Sequence, residues 1–330
     1  MENINKIGVV LLNLGGPDSI QAVKPFLFNL FSDREIIRLG PPFLQKPIAW
    51  FISSIRSKKT KQMYSQIGGK SPIFDITTAQ AAALEKALNE PSAVSRQPLR
   101  SFKVYIGMRY WRPFIKDTVD KIIQDGVKHL IVLSLYPHYS KATTGSSVSE
   151  FRKYITGRDI SVHYIEQWYD FPPYIDSLAE LIADGINEFK GRDIDILYSA
   201  HSLPESFIKE GDPYLDHIKA TITAVNSSLA TRHSILSSWH LAFQSKTGPV
   251  KWLEPTTGET IKKLANEGCK DLFVVPISFV SDHIETLYEI DILYRNIAEG
   301  YGINLRRCKA LNTFEKFILA MKQLIMAKIT

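Results

Sequence analysis

An internal repeat limits what this chain can fold into more than any other feature. Residues 119–137, VDKIIQDGVKHLIVLSLYP, run parallel to residues 261–279, IKKLANEGCKDLFVVPISF: a helix, an acidic residue and glycine at the turn, a lysine, then an apolar strand. Residues 9–17, VVLLNLGGP, parallel residues 196–204, ILYSAHSLP, in the same way. A supersecondary unit that occurs twice predicts two similar halves. Strand patterns at 8–13, 103–108, 129–136, 195–200, 240–244 and 272–280 alternate with helical patterns at 77–89, 113–125, 173–189 and 257–267. That alternation predicts parallel sheets flanked by helices, an α/β fold. The expected division is residues 1–165, residues 166–312 and a last helix, 313–330, packed back on the first half. The cleft between the halves is the default binding site.

At 330 residues the chain is long enough for two domains of ordinary size, and its 45% hydrophobic and 22% charged residues are those of a globular protein. The N-terminal segment MENINKIGVVLLNLGG enters a strand without the pattern of a signal peptide, so a cytoplasmic location is expected. No apolar run approaches the roughly 20 residues that span a bilayer. Cys269 and Cys308 lie far apart and outside any CxxC spacing, which argues against a zinc ribbon. The formal charge of +6 is spread along the chain, so nucleic acid is not expected as a partner. One local exception is residues 39–61, where Trp50, Phe51, Ile52 and Ile55 precede Arg56, Lys58, Lys59 and Lys61. Such a segment fits peripheral contact with an anionic membrane, a cover for an apolar acidic ligand, or a core helix with a solvated end.

The chemistry is expected at strand ends. In residues 272–291, LFVVPISFVSDHIETLYEID, an apolar strand turns at Ser281-Asp282 into a helical pattern. Asp282 and Glu285 have capping-box spacing, which starts the helix there and projects His283, Glu285 and Glu289 from its first turns. Two carboxylates four apart beside an imidazole are suited to relaying protons or guiding a divalent cation. Leu293 ends that polar line. The plainer alternative is an acidic first turn that only satisfies the cap and the helix dipole. His201, in YSAHSLPES, occupies a second junction of the same kind, with a capping pattern at Ser202-Glu205. Ligands of open α/β sheets bind at these carboxyl ends. Arg109 and Tyr110 in GMRYWRP stand at another, where an Arg could fork onto a carboxylate and a Tyr offer a flat face. LNLGGPDS lacks the GxGxxG of a dinucleotide fold, and KATTGSS lacks the P-loop ending.

Together these motifs resemble the ferrochelatases, which insert ferrous iron into a porphyrin. VVLLNLGGP, YSQIGGKSP, GMRY, YPHYSKATTGSS, YSAHSLP followed by GDPY, FQSKTGPVKWLEP and VSDHIETLYEID occur in family order over essentially the whole chain. The resemblance implies two Rossmann-like halves around a porphyrin cleft. It implies His201 as the essential histidine, Glu285 as the carboxylate facing it and Glu289 as an acid further along the helix, these three handling metal and protons. It also implies porphyrin contacts at Leu14, Tyr64, Ser71, Arg109, Tyr110 and His283, and residues 39–61 as a mobile lip. Lys141 stands where animal members have a cysteine, so no iron-sulfur cluster and no resident cofactor are expected, with ferrous iron a substrate. Protoporphyrin IX is the expected second substrate; the oligomeric state is left open. A coproporphyrin chelatase, a non-catalytic tetrapyrrole carrier and a phosphate-group transferase are the rival readings.

Overall fold

A computed structural model describes residues 5–90, 100–232, 238–248 and 250–329. Pro249, within the FQSKTGPVKWLEP motif, lies outside the described residues. The chain divides into two compact units: residues 1–65, 69–167 and 312–330 in one, residues 66–68 and 168–311 in the other.

The first unit is built on β1 (Asn5–Asn13), β2 (Arg100–Met108), β3 (His129–Ser134) and β4 (Ser161–Ile165), all parallel, in the order β2-β1-β3-β4. Its helices are α1 (Val23–Ser32), α2 (Gln45–Ser65), α3 (Ile73–Asn89), α4 (Ile115–Gln124) and α5 (Ser146–Ile155). The second unit contains α6 (Pro172–Asn187), β5 (Asp195–His201), α7 (Glu205–Lys209), α8 (Tyr214–Arg232), β6 (Trp239–Gln244), α9 (Thr257–Asn266), β7 (Asp271–Pro276), α10 (Arg295–Gly300) and β8 (Asn304–Arg307). Its parallel sheet has the order β6-β5-β7-β8. The last helix, α11 (Glu315–Met326), packs on α3 in the first unit, and Lys322 Nζ donates to the Ala87 carbonyl at 2.6 Å.

The repeat is thus a repeat of topology: β1 and β5, and likewise β3 and β7, hold equivalent places in the two sheets. The central strands are buried along nearly their whole length, as parallel strands covered on both faces must be; every residue of β7 is buried. The helices α4 and α9 both end at a glycine with positive φ, Gly126 (69°) and Gly268 (95°), the acid-glycine turns of the repeat. At Gly185, α6 crosses β7 so closely that a Cβ would lie 2.2 Å from Phe273 Cζ. In each sheet the order reverses beside the first strand, so the crevice that receives ligands in such folds opens at the carboxyl ends of β1 and β3, and of β5 and β7.

The edge strands β4 and β8 escape the sequence pattern. β4 alternates and is half solvated, and β8 has four residues with one buried, so neither shows an apolar run. The segment 39–61 is not a core helix: it belongs largely to α2, where Trp50, Phe51 and Ile55 are all more than half exposed and small or polar residues, Ala49 and Ser53, fill the buried face. Among the described residues no helix is long and apolar enough to cross a membrane.

Candidate active site

At the reversal point of the second sheet, His201 is the last residue of β5. Its backbone is held from two sides. The His201 N–H donates to Ser278 Oγ at 2.8 Å, beyond β7, and the Tyr214 hydroxyl donates to the His201 carbonyl at 2.9 Å. Tyr214 Oη and Ser278 Oγ are themselves 2.8 Å apart, so the strand end, α8 and the loop after β7 close one ring of hydrogen bonds. The imidazole then points Nδ1 at Glu285 Oε2, 2.9 Å away.

Glu285 opens a π-helical segment, Glu285–Tyr294, rather than an α-helix. The capping box expected at Asp282 and Glu285 is not formed. Asp282 Oδ1 accepts instead from Thr286 Oγ1 at 2.9 Å, and Thr286 Oγ1 also accepts from the His283 N–H at 3.0 Å, which frees the Glu285 carboxylate for His201. The pattern at Ser202 and Glu205 likewise makes no cap: Ser202 Oγ donates to the Leu253 carbonyl, and Glu205 pairs with Lys209 and Lys251. In both places a specific tertiary partner outcompetes the local one. Gln244, at the end of β6, donates Nε2 to the Glu285 carbonyl at 3.1 Å while its Oε1 accepts from Ser199 Oγ at 2.6 Å. Next to it Ser245, at a φ of 67°, donates to Glu289 Oε2 at 2.7 Å. Gln244 Nε2 also lies 3.4 Å from Glu285 Oε2, so the adjacent Gln244 and Ser245 each reach one of the two glutamates.

The charges are coupled. Burial lowers the basicity of His201, but the charge and hydrogen bond of Glu285, with a smaller push from Glu289, outweigh it and raise the imidazole above its ordinary value. Burial raises Glu285, yet the facing His201 pulls it well below the usual carboxylate range. The pair is an ion pair whenever His201 is protonated. His283 is the opposite case: burial lowers it and wins over the Glu285 charge, which keeps it neutral. Its Nδ1 lies 3.0 Å from the Ser281 carbonyl and so carries the proton, leaving a buried Nε2 without a hydrogen-bond partner, 3.9 Å from Glu285 Oε1. The ring rests against Phe279, with centroids 4.0 Å apart.

Four expected residues, His201, His283, Glu285 and Glu289, therefore meet within the second unit. Among the described residues no group of three or more His, Cys, Asp or Glu side chains is set to hold a metal ion, and the arrangement offers a donor pair with Glu289 turned to Ser245. In the first unit the picture departs further from expectation. Arg109 does not hold out its guanidinium for a ligand: Nη2 meets Asp33 Oδ2 at 2.9 Å and Nε donates to Ser146 Oγ at 2.7 Å. Tyr110 is 1% exposed, and its hydroxyl donates to the same Asp33 oxygen at 2.5 Å, so its ring is a packing element instead of an open flat surface. Leu14 is half-buried and joined to this turn by the Tyr110 N–H, which donates to its carbonyl at 2.9 Å. Tyr64 is buried within α2. Ser71 is 6% exposed and packs against Gly16, where a Cβ would come within 2.4 Å of its hydroxyl; both help to wall a cavity of about 470 Å³ with Phe74 and Trp111.

Asp33 lies outside every motif of the sequence. Ser146, Ser278, Tyr214, Gln244 and Ser245 lie inside KATTGSS, LFVVPISF, GDPY and FQSKTGP, so the motifs held a signal for them, although not their roles.

The family model for ferrochelatase matches residues 6–329. This chain belongs to the ferrochelatase family. Among its curated relatives, the ferrochelatase of Geotalea uraniireducens is 51% identical over 324 residues, covering 97% of each chain. The ferrochelatase of Desulfotalea psychrophila is 48% identical, with 99% of this chain and 98% of that protein covered. Of solved structures, SirB from Bacillus subtilis with Fe3+ is similar at a TM-score of 0.53 and 12% identity, covering 97% of this chain and 94% of that one. At that identity the likeness bears on the fold alone. Family membership carries the α/β architecture of two parallel sheets, and it makes the chain a relative of metal chelatases.

Proposed function

We propose that this protein inserts ferrous iron into protoporphyrin IX, yielding protohaem by deforming the ring and removing its two pyrrole protons. The observation that carries the reading is the His201 Nδ1–Glu285 Oε2 pair at 2.9 Å, set at the reversal point of a sheet in a ferrochelatase-family chain. With Nδ1–H turned to the carboxylate, His201 Nε2 is the free basic nitrogen, and it takes a pyrrole proton as general base. Glu285 orients the ring and stabilises the imidazolium as it forms. A planar porphyrin presents its inner nitrogens poorly; a site shaped for a buckled ring favours the metallation transition state over the ground state. Leu14, Tyr64 and Ser71 are assigned to porphyrin contact, and the exposed apolar side of α2 to covering it. Arg109 and Tyr110 support that region through Asp33, and His283 Nε2 is a further acceptor beside Glu285. A substrate metal must leave for the macrocycle, and a pair of imidazole and carboxylate donors suits brief passage better than the four-donor cage of a structural ion.

The test is anaerobic metallation with catalytic enzyme, following absorbance as ferrous iron is added to protoporphyrin and, separately, to coproporphyrin. Faster multiple turnover with protoporphyrin is expected; preference for coproporphyrin would move the substrate and keep the chemistry. Tight haem binding without turnover of either would make the protein a carrier. In the same assay His201→Ala is expected to lose about 10²–10⁴-fold in kcat, the usual worth of a positioned acid–base group, with porphyrin affinity kept. Unchanged turnover would remove His201 from the mechanism.

A further inference from the structure

One buried cation near the candidate site has no part in the reaction as described. Arg307 is the last residue of edge strand β8, and its side chain is 11% exposed. Its guanidinium forks onto Asp291, Nε to Oδ1 at 3.0 Å and Nη2 to Oδ2 at 2.8 Å. The remaining nitrogen, Nη1, donates to Asp282 Oδ1 at 3.0 Å. Asp282 lies just before the π-helical segment and Asp291 lies within it. One planar group therefore grips both ends of the arc that carries His283, Glu285 and Glu289.

We propose that Arg307 is a positioning residue that holds the segment in π geometry and thereby fixes the Glu285 carboxylate against His201. π-Helical runs are rare and are found mostly as single turns, so ten residues of it require something to hold them. Rewinding to α-helical hydrogen bonding would rotate Asp291 relative to Asp282, and a rigid guanidinium cannot follow both. With that clamp broken, Glu285 keeps only the Gln244 contact to its carbonyl as a backbone anchor to another strand. The Asp282 end matters twice, because the same Oδ1 accepts from Thr286, which in turn orders the His283 backbone. A lysine could satisfy one of the carboxylates but not span both.

The role rests on the reading of Glu285 given above, so the experiment is a cycle. Arg307→Met, Arg307→Lys and Asp291→Asn are each made alone and on a Glu285→Gln background. Metallation of protoporphyrin by ferrous iron, porphyrin affinity by fluorescence and thermal melting are followed. Arg307→Met is expected to lower kcat about 10–100-fold, the usual effect of a residue that orients a ligand, with the porphyrin affinity unchanged. Arg307→Lys recovers part of that rate and not all. On the Glu285→Gln background the Arg307 change adds no further loss, because a residue that acts through Glu285 has nothing left to act on. A general packing defect would instead lower the rate by the same factor on both backgrounds, and that result would overturn the proposal. Asp291→Asn, which weakens the fork and leaves the Asp282 tie, follows the same pattern and stands in if Arg307→Met does not fold. An inactive Glu285→Gln beside a folded Arg307→Met at full rate would sink the positioning role alone. A fully active Glu285→Gln would remove the reading beneath it as well.

Discussion

His201 and Glu285 are worth more as a pair than either is as a single residue. For the imidazole to accept a pyrrole proton it must be neutral, and the facing carboxylate has raised it above its ordinary 6.5. The acid limb of the kcat/KM profile is therefore expected to have its midpoint above that value, with activity rising as pH climbs through it. In Glu285→Gln the chief raising influence is gone. The limb then moves to lower pH while the plateau falls, because the imidazolium that forms has lost its counter-charge. Steady-state rates from pH 5 to 9 on both proteins decide this, and a limb that stays in place would mean another group titrates. Stability carries its own signature. The raised His201 contributes fully below its ordinary value and loses that contribution as pH rises through the folded-state value; the depressed Glu285 contributes above the ordinary carboxylate range and loses its share as pH falls. Between those limits the pair stabilises most, and Glu285→Gln flattens the melting temperature across that window. Both residues are visible in the sequence, His201 as a polar residue at the end of an apolar strand and Glu285 as an acid in the first turn beyond a strand-to-helix junction. Asp33 is not: an aspartate after a helix looks like any other, and only the fold brings Arg109, Tyr110 and Ser146 to it.

The elements that position the site were legible in proportion to their burial. β1, β3, β5 and β7 are central, lie between helices and are written as continuous apolar runs. β4 and β8 close the edges: SVHYI alternates but is only five residues long and carries no apolar run, and NLRR is too short and polar to separate from a loop. The π-helical segment reads in sequence as an ordinary capped helix because the Asp282-Glu285 spacing marks a helix start and nothing in the residues that follow marks i→i+5 hydrogen bonding. What separates the two is Asp282 choosing Thr286 and Arg307, a contact between β8 and a distant loop. Helix-to-strand packing behind the site can be tested at Gly185. The added methyl of Gly185→Ala would strike Phe273, whose ring is 1% exposed and packed edge-on against Phe189 at 5.9 Å, so it cannot swing aside. A loss of about 1–3 kcal/mol in urea unfolding is expected, as for overpacking a filled core. A neutral result would mean that α6 shifts outward from β7 without cost.

The repeat read from 119–137 and 261–279 reappears as two sheets with one strand order, each with its own reversal point. The continuity of the chain does not follow the repeat, because residues 312–330 return to the first unit after the second is complete. In that unit α11 lies on α3, with Phe317, Met321 and Ile325 fully buried and Gln80 Nε2 donating to the Asn312 carbonyl at 2.8 Å. The first unit is consequently unfinished until the last residues of the chain are in place, and its stability depends on side chains about two hundred positions away in sequence. Phe317→Ala removes the largest of them from a site with no exposure. The expected cost is about 3–5 kcal/mol, the range for emptying a buried aromatic site. Because the residue belongs to the first unit, the loss should fall on that unit: hydrogen exchange would quicken in β1 and α3 and stay as it was in β5 and β7. Equal acceleration in both sheets would show that the two units unfold as one, and the discontinuity would then have no energetic meaning.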